Sequence, residues 1–186
     1  AEPLPVLRYA MLLHDLGKPE TFALDGEGHG HFYGHWRRSV PLAQAILDRL
    51  RVDNRSKRVI LTLVERHDCP LPLSEKSVRR NLARYGEETL RLLLEVKRAD
   101  NLAQAEAYRD RQTLIRQWEE LLELVLAGGA CFSLGQLAVK GNDLTALGLE
   151  GPAVGVALKE LLELVIDEKL PNDRGLLVEY AKEKLL

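Results

Sequence analysis

Three side chains that can ligate a cation or move a proton recur in helical register with apolar residues: His14, His67 and Asp100. His14 stands in Leu12-Leu13-His14-Asp15-Leu16-Gly17-Lys18 and shares an i, i+3, i+4, i+7 stripe with Leu7, Ala10 and Met11. His67 follows Ile60, Leu63 and Val64 on one face, and Asp100 lies with Leu93, Val96 and Ala103. A single inward polar group is normally satisfied by a neighbour. Three from separate helices, each costly if left unpaired, point to a shared partner. A divalent metal held by His and Asp would satisfy them together. Mixed nitrogen and oxygen ligation suits Mn, Fe, Co, Ni or Zn better than Ca, with Mg also open, and sequence does not choose among them. Asp15 adjoins His14, and His35 begins a further helix, so both join the candidate ligand set. Lys18, one turn on, is placed to meet a phosphate oxygen or a metal-bound oxyanion. The second His-Asp pair, at 67–68, offers only its His to the apolar face; Asp68 reads as a cap. Cys69 offers a thiol beside His67, but the turn through Pro70 and Pro72 favours a structural cysteine.

The elements that must position these residues are all helical. The pattern predicts a helix over Val6–Leu16, then a glycine-rich loop over 19–34 with a hairpin around Asp25-Gly26-Glu27-Gly28. A second helix spans His35–Leu50, with Pro41 either kinking it or marking a late start. Val52-Asp53-Asn54 caps a third, which ends near His67. Ser74 and Ser77 offer caps for a basic helix over 75–85, closed by Gly86, and Glu87 to about Ala107 forms the next. Asp110–Ala127 is amphipathic and ends at Gly128-Gly129. Beyond it, Ser133-Leu134-Gly135-Gln136 and Lys140-Gly141-Asn142-Asp143-Leu144 each start a short helix. Gly148–Pro152 turns into a helix over Ala153–Lys169, and Asn172-Asp173 caps the last one. A domain boundary is expected near 128–132, giving a helical bundle over 1–129 and a small helical tail over 130–186.

With 186 residues, 46% of them hydrophobic, the chain has enough apolar material for one full core and an appendage. No apolar run is long enough to span a bilayer and no signal peptide is visible, so no membrane partner is expected. Two cysteines, Cys69 and Cys131, are too few for a disulfide framework, which makes a reducing cytoplasm the expected compartment. Residues 1–120 carry 20 Lys and Arg against 18 Asp and Glu, while 121–186 carry 6 against 10. Most cations of the first part are Arg, suited to bidentate phosphate contact. A solvated helical surface and a phosphate or RNA contact both fit them. Arg79, Arg80 and Arg84 are the foremost candidates, with the backbone amides after Gly141 and Gly151. Tyr108, Trp36, Trp118 and Phe132 are scattered, which fits core or rim packing better than base stacking.

An all-α chain with His-Asp ending a helix, later histidines and a distant helical Asp resembles the HD metal-dependent phosphohydrolase superfamily. Leu12 through Pro19, then Gly30-His31-Phe32-Tyr33-Gly34-His35, resembles more narrowly the HD domain of bacterial tRNA nucleotidyltransferases, the CCA-adding and poly(A) polymerase family. Lys140–Leu144, Gly151-Pro152-Ala153-Val154-Gly155, Leu161-Leu162-Glu163 and Asn172-Asp173-Arg174 resemble that family's C-terminal region. The resemblance implies that His14, Asp15 and Asp100 are metal ligands, and that His35 and His67 occupy positions holding a second metal in dinuclear members. It also implies tRNA as a partner and a role in tRNA 3′-end processing. The family's first HD histidine comes from a helix preceding the dyad. The chain opens at Glu2-Pro3-Leu4-Pro5 without an initiator Met, and no Gly-Ser plus Asp-x-Asp pattern of a nucleotidyltransferase head occurs in it. It therefore reads as a fragment or processed chain, expected to pair with an N-terminal head, to hold metal weakly and to hydrolyse slowly.

Three functions follow. The first is the HD and tail region of a CCA-adding enzyme, retaining metal-assisted hydrolysis. The second is a separate HD phosphohydrolase acting on phosphomonoesters or cyclic nucleotides. The third is a silent RNA-binding scaffold, whose Gly148–Gly155 turn resembles a helix-hairpin-helix or is a plain helical corner. Oligomeric state is not encoded legibly.

Overall fold

A computed structural model describes residues 5–106, 109 and 111–185. The described residues are almost entirely helical: α1 (Pro5–Leu13), α2 (Lys18–Thr21), α3 (His35–Arg49), α4 (Asn54–Arg66), α5 (Glu75–Ala103), α6 (Arg111–Ala127), α7 (Gly141–Thr145), α8 (Pro152–Ile166) and α9 (Arg174–Lys184). A short antiparallel hairpin, β1 (Ala23–Leu24) with β2 (Gly30–His31), pairs Ala23 with His31 and Leu24 with Gly30. No described helix is long and apolar enough to cross a membrane. The helix ends expected at Ala107 and Asp110, and Tyr108, lie outside the described residues.

The chain divides into two compact units. One comprises the chain up to Leu71 with Glu87–Arg116; the other comprises Pro72–Gly86 and Gln117 onward. The boundary expected near 128–132 falls inside the second. Gly86 carries the break within α5: its φ of 73° and ψ of 162° lie where an L side chain is strained, so the basic helix ends there as its glycine predicts.

In the first unit α1 and α3 both pack on α4, and α2 packs on α3. Ala10, Leu13, Ala43, Leu47, Ile60, Leu63, Val64, Leu90 and Leu93 are buried, and each fully buried leucine contributes about 1.5–3 kcal/mol. Pro41 lies inside α3, so the helix starts at His35 rather than late. Asp53 caps α4, accepting the amides of Arg55 and Ser56. α1 stops at Leu13, three residues before its periodicity suggests. His14 to Gly17 continue as tight turns, Leu16 N–H donating to Leu13 O and Lys18 N–H to Asp15 O.

In the second unit α7, α8 and α9 pack mutually around Leu137, Val139, Leu144, Leu161 and Leu177. Residues 133–136 form a turn and not the expected helix, with Gln136 accepting from Phe132 N–H and Ser133 Oγ and so tying the turn to itself. Asp173 caps α9 through Leu176 N–H, and Asp143 accepts Lys140 N–H at 2.8 Å at the start of α7.

Candidate metal centre

Four elements of the first unit converge on one carboxylate. Asp15, in the turn after α1, directs Oδ2 to His14 Nε2 at 3.2 Å and to Lys18 Nζ at 2.6 Å. Its Oδ1 faces His35 Nε2, from the start of α3, at 3.2 Å and His67 Nε2, from the end of α4, at 3.8 Å. Asp100, on α5, meets His14 Nε2 at 3.3 Å. Ligand atoms of His14, Asp15 and His67 all lie within 4.8 Å of one another, the geometry of a divalent-metal site. His14, His35 and His67 are buried, while Asp15 and Asp100 are half-buried.

The three rings are oriented by one device. His14 Nδ1 donates to Met11 O, His35 Nδ1 to Phe32 O and His67 Nδ1 to Val64 O, at 2.8, 2.9 and 2.7 Å. A carbonyl only accepts, so each Nδ1 carries a hydrogen and each Nε2, when its ring is neutral, presents a lone pair to the centre. His35 Nε2 and His67 Nε2 stand 3.0 Å apart. Two lone pairs at that distance repel, so either a proton shared between the nitrogens or a cation beside both must offset them. Nitrogens bound to one ion at a right angle, each about 2.1 Å from it, have about this spacing. The donor set thus fits a divalent cation.

Burial disfavours a charged His14, but its hydrogen bonds to Asp100 and Asp15 outweigh that and raise it to about 10. A proton there stands where a cation would. Burial works against Asp15 too, yet His14 and Lys18 hold its carboxyl well below the usual carboxylate range. His14 likewise lowers Asp100. Burial pushes His67 down and keeps it neutral as a ligand requires.

Three supports hold the centre, two of them outside the motif. Gly17 packs directly on α3: a Cβ there would sit 2.2 Å from His35 O and 2.7 Å from Ser39 N. Its N–H donates to the buried Ser39 Oγ at 2.9 Å, which fixes the turn carrying His14 and Asp15. Lys97 donates to His67 O at 2.7 Å and Cys69 O at 2.5 Å, closing the end of α4, and burial lowers its ammonium to about 8. From sequence Lys97 looks like a solvated charge and Ser39 like a filler on α3. Only the packing distinguishes them. Cys69 donates its thiol toward Glu65 O, and Asp68 lies 3.9 Å from Arg111.

The arginine candidates lie in the second unit. Arg79 is buried, donating to Ile166 O and pairing with Glu75 at 3.0 Å and Glu168 at 2.6 Å. Arg80 forms a two-pronged pair with Asp167 at 3.0 Å. Arg84 lies over Tyr85, 5.7 Å from the ring centre, and lines a cleft with Arg80 and Glu163. Gly141 begins α7 and Gly151 caps α8. Trp118 is a core residue whose Nε1 donates to Pro72 O; Trp36 and Phe132 are half-buried.

The chain is similar in sequence to known proteins. The pattern of the family described as "tRNA nucleotidyltransferase domain 2 putative" matches residues 39–181. The chain is 36% identical over 159 residues to the CC-adding tRNA nucleotidyltransferase of Thermus thermophilus, covering 84% of this chain and 35% of that protein. It is 33% identical over 167 residues to the A-adding tRNA nucleotidyltransferase of Deinococcus radiodurans, covering 85% and 37%. A Multifunctional CCA protein of an Azoarcus species is 33% identical over 132 residues, covering 67% and 31%. The chain thus spans about a third of the length of the curated relatives it matches. No solved structure matches it. With three quarters of its length inside that family pattern, this chain belongs to the tRNA nucleotidyltransferase domain 2 family.

Proposed function

We propose that this chain is the HD-type helical region and tail of a CCA-adding tRNA nucleotidyltransferase, acting in tRNA 3′-end processing and carrying a metal-dependent phosphohydrolase centre. The observation that carries the hydrolase reading is the convergence of three Nε2 atoms on Asp15, two of them 3.0 Å apart. The likeness to CC-adding and A-adding enzymes supports the tRNA reading.

His14, Asp15, His67 and His35 would hold the ion, with Asp100 fixing His14. A bound divalent ion supplies a Lewis acid and a water of lowered pKa for attack on phosphorus. The protein's own part is positional. Asp15 spreads its two oxygens between the His14 side and the His35–His67 side. The partly exposed Lys18 ammonium, already paired to Asp15 at 2.6 Å, is placed to neutralise a phosphoryl oxygen. Arg84 and Arg80 are the basic contacts for a nucleic-acid backbone in the second unit.

Hydrolysis of a phosphomonoester and of a cyclic nucleotide by the chain, with and without Mn2+, tests the reading. Metal-dependent turnover that disappears in Asp15→Asn and His67→Ala supports it. Wild-type inactivity, with those variants losing only stability, identifies a scaffold. A tRNA affinity that falls with salt and weakens in Arg84→Ala supports the RNA contact.

A further inference from the structure

The hairpin carries four side chains of metal-ligand type at alternate positions: Asp25, Glu27, His29 and His31, separated by Gly26, Gly28 and Gly30. The buried centre uses none of them. The glycines let the chain turn tightly between them. Gly28 has a φ of 85°, its N–H donates to Asp25 O at 3.1 Å, and Asp25 N–H donates to His29 O at 3.0 Å. That closure returns both histidines to the side of Asp25.

Asp25 Oδ1 accepts the amides of Glu27 and His29, each at 2.9 Å, which fixes the plane of the carboxylate. An ordinary turn asks for no more than that. The second oxygen has a different surrounding: Oδ2 lies 2.8 Å from His31 Nε2 and 3.4 Å from His29 Nδ1. Glu27 Oε2 stands 3.7 Å from the same His29 nitrogen. Neighbouring ligands of a tetrahedral ion, each about 2.0–2.1 Å from it, are about 3.4 Å apart, so these contacts are on the scale of a shared ion. The His31 ring stacks on Tyr33 at 4.9 Å and 11° between planes, and so has its orientation set by an outer partner, as ligating imidazoles do. His29 and Glu27 are exposed, and their side chains can turn to close over an ion arriving from solvent.

We propose that Asp25, His29 and His31, with Glu27 as a fourth ligand, form a second, surface metal site for a divalent transition-metal ion of the Zn2+, Cu2+ or Ni2+ class. Two imidazoles beside carboxylates make a donor set suited to these ions rather than to Mg2+ or Ca2+. The site stands apart from the buried centre: among the described residues, the ion pairs of its four side chains stay within the hairpin. An ion there would clamp the residue after β1 to β2, in the hairpin whose Phe32 O orients the His35 ring.

The test is a titration of the chain with Zn2+, read by NMR at the ring C–H signals of its five histidines, with His29→Ala and Asp25→Asn alongside. We expect His29 and His31 to shift together and saturate at one common Zn2+ concentration. Either variant should weaken the His31 response by about tenfold or more, while His14, His35 and His67 respond as in the wild type. Hairpin rings that do not respond, that saturate separately, or whose His31 response is unaltered in both variants overturn the site. Asp25→Asn keeps the oxygen that accepts the two amides, and unchanged metal-free signals of His14 and His67 check that both variants fold. A hairpin response with silent His14, His35 and His67 would refute the buried metal centre and leave this site standing.

Discussion

His35 Nε2 and His67 Nε2 face each other at 3.0 Å, while each ring's Nδ1 hydrogen is spent on the carbonyl three residues before it. Nothing in the packing of two helices requires that arrangement. A cation shared between the rings accounts for it, as does a proton between the two nitrogens, with Asp15 Oδ1 beside both.

Gly17 is required by distance rather than by turn conformation. Gly17→Ala would drive a Cβ into His35 O and Ser39 N, both backbone atoms that cannot swing aside. The expected cost is about 2–3 kcal/mol, as for overpacking, with loss of metal affinity as the His14–Asp15 turn lifts from α3. Urea unfolding and metal titration of the variant check this.

Ser39→Ala removes the acceptor of Gly17 N–H and leaves that amide buried and unpaired. The expected loss is about 1–2 kcal/mol in urea unfolding, with a smaller effect on metal binding than Gly17→Ala has.

The metal-free chain should be most stable near pH 6.5. His14 is raised to about 10, so its contribution is complete below 6.5 and fades as pH rises toward 10. His67 is lowered, so the unfolded chain takes up its proton first and stability drops below pH 6.5. Asp15 and Asp100 are lowered, and their contributions are lost as pH falls below the ordinary carboxylate range. Lys97, depressed to about 8, works in the opposite direction to His14 between 8 and 10.5. The steepest alkaline loss therefore falls between pH 6.5 and 8. Asp100→Asn should flatten that segment in urea midpoints measured across the range.

Arg79 and Arg84 should separate cleanly. Arg79→Ala strands Glu75, Glu168 and Ile166 O and is expected to cost on the order of 2–3 kcal/mol, less than a fully buried pair because both glutamates reach solvent. Arg84→Ala should change stability by less than about 0.5 kcal/mol and act on nucleic-acid affinity alone.

Much of the site was legible because helical phase reports burial. His14 and His67 fall on apolar stripes and are buried, and Asp100 arrives beside His14 from a helix 86 residues further on. Pattern could not show that Asp15 is the hub, because it falls off the apolar stripe that His14 shares and its partners come from other helices. Nor could it show that His35 points inward, since Phe32 O sets its ring. Lys97 and Ser39 escaped notice because their partners are backbone groups, which every sequence contains. Arg79 escaped for a different reason: beyond Glu75 on its own helix, its acceptors Ile166 O and Glu168 lie 87 and 89 residues away. The turn over 133–136 was read as a helix because Ser133 looks like a cap, whereas Gln136 folds back on it.

Calorimetric titration of the metal-free chain with Mn2+, beside Asp15→Ala and His67→Ala, tests the central claim most directly. The account predicts saturable binding by the wild type, proton release on binding as the ion displaces the proton held at His14, and loss of both in each variant. Binding that is unchanged in the two variants, or absent from a folded wild type, would contradict it.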